Sequence, residues 1–241
     1  MQRFATNSPT PMSDAVALVT GGGSGIGAAV VDALTRRGHT VGCLDRNPAH
    51  NVEHSVVVDI SDRRAVGAAV AQLRERLGPI SVVVNSAGHY EMVPVADITP
   101  DAWRTMLRVH LGGLFNVARS CLPDLLETRG ALVAITSELA VGGGDGDAHY
   151  AAAKGAVIGL VRSLAAEVAA RGVRVNAVAP GPTDTPLLAA DNPCRTKQYL
   201  NSLPLRRLTT AQEVARCVEY LVCDATFSVG DVVNVNGGAV I

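Results

Sequence analysis

Short, nearly continuous apolar runs alternate along the chain with longer stretches in which apolar residues recur every three or four positions. The run at 15–20 ends in a glycine cluster and 26–34 then repeats at helical spacing, which predicts strand, turn, helix. Further strands are predicted at 41–44, 55–58, 80–84, 131–136, 173–179 and 231–235. Helices are predicted at 63–77, about 100–126, about 148–170 and roughly 211–222. Strands that are apolar along their length have no solvated face, so they predict a parallel sheet with helices on both sides. The expected fold is α/β, doubly wound around a mostly parallel seven-stranded sheet. In such a sheet ligands bind beyond the carboxyl ends of the strands, where the strand order reverses. Residues that end strands and open helices are therefore the candidates for chemistry.

Length and composition narrow the picture. A chain of 241 residues is long enough for one sizeable core. Residues 1–13 read as a polar leader ahead of a single domain at 14–241, which starts just after Met12. With 21 basic and 22 acidic residues and no basic run, the chain lacks the electrostatic footprint of a nucleic-acid binder. Charged residues make up only 18%, which leaves apolar surface to be buried between subunits. No uninterrupted apolar stretch is long enough to span a bilayer. The leader, with Pro9 and Pro11, has no apolar core of the secretory kind, so a cytoplasmic setting is expected. Cys43, Cys121, Cys194, Cys217 and Cys223 include no C-x-x-C pair and have no histidines at ligand spacing, so they read as reduced packing thiols and no metal is expected.

The glycine cluster is Thr20-Gly21-Gly22-Gly23-Ser24-Gly25-Ile26-Gly27, placed where the first strand meets the first helix. Glycines there let backbone approach a pyrophosphate, and the helix N-terminus favours its charge. Asp45 ends the second strand, where a carboxylate bonds the ribose hydroxyls of adenosine and repels a 2′-phosphate. That charge points to NAD rather than NADP, although the adjacent Arg46 has the chemistry to stack on adenine or tolerate a phosphate. Asp59 with Ile60, at the end of the third strand, is placed for the adenine edge, and Asn85, Ala87 and Gly88 follow the fourth.

Tyr150 and Lys154 stand four residues apart on one predicted helical face. A free phenol is a poor base at neutral pH unless a nearby positive charge favours the phenolate, and Lys154 carries such a charge. Ser137, thirteen positions before Tyr150, ends the preceding strand and offers a hydroxyl to a substrate oxygen. Phenol, ammonium and hydroxyl together fit the interconversion of a carbonyl and an alcohol.

Over nearly all of residues 14–241 the sequence resembles a classical short-chain dehydrogenase/reductase. The likeness rests on T-G-G-G-S-G-I-G at 20–27, N-S-A-G at 85–88, Ser137 with Y-A-A-A-K at 150–154, and P-G-P-T-D-T at 180–185. The resemblance implies a Rossmann fold that binds NAD(P), with Tyr150 as general acid/base. Lys154 would lower the tyrosine pKa and bond the nicotinamide ribose, and Ser137 would polarise the substrate oxygen. Pro180, Gly181, Thr183 and Thr185 would contact the nicotinamide end. It also implies a homotetramer through the two longest central helices, a dimer being the alternative.

Two positions depart from the family pattern: Ser86 stands for an Asn, and His110 stands for the Asn of V-N-L-x-G. In the family the carbonyl of that Asn holds a water in the proton relay. An imidazole titrates near neutral pH, so His110 is a candidate relay group, the other reading being a histidine that only packs. Gly142 to Asp147 form a glycine-rich loop beside the reacting centre. The segment at about 187–205 is the expected substrate lid, with Leu188, Arg195, Lys197 and Tyr199 as candidate contacts and its basic residues as candidate holders of an anion. Glu91, Glu138 and His89 lie on nearby loops. The reading that follows is an NAD-preferring dehydrogenase or reductase of a secondary alcohol and its ketone. The alternatives are an NADPH-dependent 3-oxoacyl-thioester reductase and, further off, a protein that binds NAD without turnover.

Overall fold

The computed structural model describes residues 15–240, so the leader at 1–13 lies outside the described residues. The chain runs β1 (Val16–Thr20), α1 (Gly25–Arg36), β2 (Thr40–Asp45), β3 (His54–Val57), α2 (Arg63–Leu77), β4 (Ile80–Asn85), α3 (Pro100–Leu107) and α4 (Gly113–Thr128). It continues through β5 (Ala131–Ile135), α5 (Leu139–Gly142), α6 (Ala148–Val168), β6 (Arg174–Pro180), β7 (Thr183–Asp184) and α7 (Lys197–Ser202). The last elements are β8 (Thr209–Thr210), α8 (Ala211–Cys223) and β9 (Val232–Val235).

Seven strands form one sheet in the order β3-β2-β1-β4-β5-β6-β9, and every pair is parallel, so the sheet is wholly rather than mostly parallel. Alternate residues of each strand face opposite layers. Leu18, Leu44, Val83 and Leu132 pack under α2, α4 and α6, whereas Val19, Cys43, Val84 and Val133 pack under α1 and α8. The chain leaves β1 toward one edge and returns at β4 to build toward the other. The crevice therefore opens beyond Thr20 and Asn85, which are register partners at the carboxyl ends of those strands.

Local chemistry explains where the helices begin. The Asp62 carboxylate accepts the N–H groups of Arg64 and Ala65 at the start of α2, and Thr99 caps α3 with Pro100 behind it. Thr210 and Glu213 form a reciprocal capping box on α8.

The expected continuous helix at about 100–126 is interrupted. Arg108–Gly112 form a π-helical turn in which the Gly113 N–H reaches Arg108 O, five residues back. Such widened turns concentrate at functional sites, and this one carries His110. The expected lid contains α7, and a two-residue parallel pair of β7 with β8 holds its ends together. No helix among the described residues is long and apolar enough to cross a membrane.

Candidate active site

A cleft of about 950 Å³ lies beyond the carboxyl ends of β1, β4, β5 and β6. At one end the glycine turn is shaped by close approach. Gly21 and Gly25 hold φ of +70° and +53°, conformations that suit glycine. A Cβ on Gly21 would lie 2.9 Å from Ala87 Cα, and one on Gly27 would meet the Gly21 carbonyl. Ser24 precedes α1 without a side-chain cap bond, and the first turn of α1 carries no acidic residue. The helix therefore presents its N–H groups to the cleft with no competing anion, which fits a pyrophosphate.

Asp45 is held in place by backbone, its carboxylate accepting Gly23 N–H and Asn47 N–H, each at 3.0 Å. Arg46 lines the cleft beside it. Asp59 accepts Ser61 N–H at 2.8 Å. Burial alone would raise its pKa, but the Ser61 hydrogen bonds and the Arg108 and Arg46 charges outweigh that and hold it below the usual carboxylate range. Ile60 lines the same end, packs against Gly113, and accepts the Asn116 amide through its carbonyl at 3.0 Å.

Ser24, Gly25, Ile26, Gly27, Ala87, Gly88, Pro180, Gly181, Thr183 and Thr185 all line the cleft. Four of the expected site residues, Gly23, Asn85, Ser137 and His110, do not. Gly23 faces the Asp45 carboxylate. Asn85 is buried and accepts the Thr20 hydroxyl at 3.2 Å. Thr20 Oγ1 in turn accepts the N–H groups of Ser86 and Ala87, so the Thr20–Asn85 pair fixes the loop that touches the cleft. Ser137 is the third, its hydroxyl covered by its neighbours.

At the reacting centre, Ser137 Oγ donates to Glu138 Oε2 at 3.1 Å and accepts Leu139 N–H at 3.2 Å. Tyr150 and Lys154 project from α6, with the Lys154 ammonium 5.6 Å from the centre of the tyrosine ring. Lys154 Nζ donates to Ile135 O at 2.8 Å. Burial pushes the ammonium down to about 7. The Tyr150 phenol is pushed above its ordinary value by burial first, then by the Glu138 carboxylate and by Asp147, with the Ser137 hydroxyl pulling the other way. In the protein alone the expected lowering of the phenol by Lys154 is not present, because the same dry surroundings penalise both charges.

His110 is buried, stands edge-on to Tyr150 with ring centres 5.4 Å apart, and stacks on His89 at 5.3 Å. Its Nε2 donates to His89 O at 2.8 Å. Gly88 is a glycine because a Cβ there would meet the imidazole. Burial first, then the Lys154 charge, hold His110 well below the usual histidine range, so the ring is neutral near pH 7. The contacts the ring makes are the stacking on His89 and the hydrogen bond to His89 O, which leave its Nδ1 lone pair as the one part available to the relay reading.

The substrate side is acidic. Glu138, Asp145 and Asp147 line it together with Tyr90, Leu188, Cys194 and Tyr199. Tyr90 donates its hydroxyl to Asp147 at 2.8 Å. Asp147 ends the glycine-rich loop expected beside the reacting centre, whereas Tyr90 carries no signal of its own in the sequence. His89 lines the cleft and Glu91 does not. Of the lid cations, Arg195 pairs with Asp184 at 2.8 Å and donates to Leu188 O at 3.0 Å, and neither it nor Lys197 lines the cleft. As candidate holders of an anion they are badly placed, Arg195 because it is already paired with Asp184 and both because they lie off the cleft wall.

The family model described as enoyl-(acyl carrier protein) reductase matches residues 21–240. The 3-oxoacyl-acyl-carrier-protein reductase FabG of Salmonella typhimurium is 32% identical over 234 residues, covering 92% of this chain and 96% of the relative. The acetoacetyl-CoA reductase of Synechocystis is 35% identical over 231 residues, covering 94% and 96%. Among solved structures, a ligand-free aldohexose dehydrogenase of Thermoplasma acidophilum superposes with TM-score 0.88 at 29% identity, covering 94% of each chain. A blue fluorescent protein from a metagenomic library, in complex with NADPH, superposes with TM-score 0.89 at 29% identity, covering 96% of this chain and 100% of that one. The chain belongs to the short-chain dehydrogenase/reductase family. It is an NAD(P)-dependent oxidoreductase that acts on carbinol and carbonyl groups.

Proposed function

We propose that the chain is an NAD-preferring oxidoreductase that interconverts a secondary alcohol and its ketone. Asp45 carries the cofactor preference. Its carboxylate, fixed by Gly23 and Asn47 N–H groups, sets a negative charge where NADP would bring a 2′-phosphate. A bound nicotinamide would supply the hydride chemistry, which is the cofactor's own. Tyr150, held protonated by its surroundings, gives its proton to the ketone oxygen during reduction and takes it back during oxidation. Lys154 stands beside the ring to stabilise the phenolate left behind, and Ser137 orients the reacting oxygen. The glycine turn, Ala87 and Gly181 position the dinucleotide, with Thr183 and Thr185 at its nicotinamide end.

A second reading, NADPH-dependent reduction of a 3-oxoacyl thioester, is favoured by the names of the relatives and by the NADPH carried by one structural neighbour. On the relatives alone it stands ahead, and Arg46 is the cation that a 2′-phosphate would need. Assembly into a homotetramer, or a dimer, is supported by the half-exposed Phe115 on α4, and sedimentation tests it.

Initial rates with NADH and NADPH over small ketones and acetoacetyl-CoA, with Tyr150→Phe as control, separate the two readings. NADH-linked reduction of small ketones that vanishes in the variant upholds the first. Turnover confined to NADPH and the thioester transfers the assignment to the second.

A further inference from the structure

Glu138 is a titratable group that the proton transfers above do not use. It is 6% exposed, yet it lines the cleft next to the serine that orients the reacting oxygen. Ser137 Oγ gives its proton to Glu138 Oε2 at 3.1 Å while accepting Leu139 N–H. A hydroxyl has one proton to give, so Ser137 cannot serve Glu138 and a substrate oxygen together. When the reacting oxygen takes the serine proton, Glu138 loses its one side-chain partner among the described residues and keeps only its own backbone N–H, which is also given to Pro180 O at 3.1 Å. A buried carboxyl that trades a hydroxyl donor for a single shared N–H is under-satisfied, so a bound substrate that brings its own donor is favoured.

Geometry says where that donor sits. Two oxygens on adjacent carbons lie about one hydrogen-bond length apart, the same separation as Ser137 Oγ and Glu138 Oε2. This spacing lets a substrate with its reacting oxygen on Ser137 set a hydroxyl on the next carbon at Glu138. The other groups at this end agree. Asp147 is taken up by the Tyr90 hydroxyl, and Cys194 and Tyr199 carry no charge as thiol and phenol. Apart from Lys154, no cation lines this end, because Arg195 is engaged with Asp184. An anionic substituent beside the reacting carbon would meet Glu138 and Asp147 with Lys154 as the one lining cation at this end.

We propose that Glu138 accepts a hydrogen bond from a hydroxyl on the carbon next to the reacting one, so that the substrates are α-hydroxy ketones and the corresponding vicinal diols. This inference rests on the secondary alcohol and ketone reading above. Burial raises the Glu138 carboxyl to about 7, and it keeps an acceptor oxygen in either protonation state.

The test is a matched pair of ketones that differ by one hydroxyl, 3-hydroxybutan-2-one and butan-2-one, assayed with NADH on the wild type, Glu138→Leu and Glu138→Gln. Binding of butane-2,3-diol and of butan-2-ol to the enzyme–NADH complex is followed in parallel by cofactor fluorescence, which needs no turnover. The wild type is expected to favour the hydroxy ketone in kcat/KM by at least about tenfold, since a site built to bond a hydroxyl rejects the analogue lacking it. In Glu138→Leu that ratio collapses toward one, and in Glu138→Gln part of it survives because an amide oxygen still accepts. A role confined to folding would lower both rates and leave their ratio alone. A wild-type ratio near one, or a ratio that both variants leave unchanged, overturns the proposal. If Glu138→Leu does not fold, the wild-type ratio and Glu138→Gln decide. Saturable binding of the diol but not of butan-2-ol, with neither ketone turned over, upholds the hydrogen bond to Glu138 and overturns these compounds as substrates. No binding of either alcohol, with no turnover, ends both.

Discussion

The two ends of the cleft are built in opposite ways. The dinucleotide end is made of strand termini and the opening of α1, held by backbone N–H groups, and it mixes Asp45 and Asp59 with Arg46 and Arg108. The substrate end joins three segments distant in the chain, around Tyr90, Glu138 to Asp147, and Leu188 to Tyr199, and it gathers carboxylates. Electrostatics follows the construction. At the first end nearby donors and cations outweigh burial and hold Asp59 low. At the second, burial dominates and moves Glu138 up to about 7, Lys154 down to about 7 and Tyr150 upward. One end is preorganised by the backbone to receive fixed charge, and the other holds groups close to losing theirs, which proton transfer near neutral pH requires.

The largest effect is expected at the seam between the ends. Tyr150→Phe removes the proton donor and leaves the glycine turn untouched. Turnover should fall by about 10²- to 10⁴-fold, while NADH binding, followed by fluorescence, stays near that of the wild type. Loss of both together would mean that the two ends are not separable.

A second measurement tests whether the acidic end is held at a cost to folding. Glu138 titrates at about 7 in the fold against 4.5 as its ordinary value, so the folded chain holds more proton between those limits. Its contribution to stability is full below pH 4.5 and is lost as the pH rises through about 7. Glu138→Gln cannot ionise. It should therefore be more stable than the wild type at pH 8 by up to about 3 kcal/mol in urea unfolding, with the gap closing toward pH 4.5. Lys154 shifts in the opposite sense in both proteins and cancels from the comparison. Equal stabilities at both pH values would show that the carboxyl is solvated.

The contrast also explains what could be read from the chain alone. The glycine turn, Asp45 and the Tyr150–Lys154 spacing lie within single strand–turn–helix units, so their geometry is local and the apolar pattern places it. The π-turn at Arg108–Gly112 leaves the apolar spacing of its flanks intact and so carries no signature of its own. Asn85 is asparagine at the expected place but spends its side chain on Thr20, a partner 65 residues away in sequence. Glu138 could be named but not aimed, since the direction of its carboxylate depends on how the serine hydroxyl is shared. Arg195 read as free because Asp184, its partner, belongs to the segment before the lid. The cofactor assignment can be sharpened at its most legible residue. Asp45→Ala should reduce the preference for NADH over NADPH, in the ratio of kcat/KM values, by about tenfold, equivalent to about 1.4 kcal/mol. An unchanged ratio would move the selection to Arg46.

His110 tests the boundary itself with the smallest expected change. Its ring touches Gly88 on the dinucleotide side and Tyr150 on the substrate side, and it stays neutral because burial and Lys154 disfavour its charged form. A neutral ring that gives its Nε2 proton to His89 O keeps only its Nδ1 lone pair for a relay at pH 7. Asn in its place can still offer an amide to that carbonyl. His110→Asn is therefore expected to cost about 1 kcal/mol of stability or less. The pKa values that govern the pH dependence of kcat should stay where they are. A limb of that profile that moves or disappears would put the imidazole on the proton path and join the two ends through it.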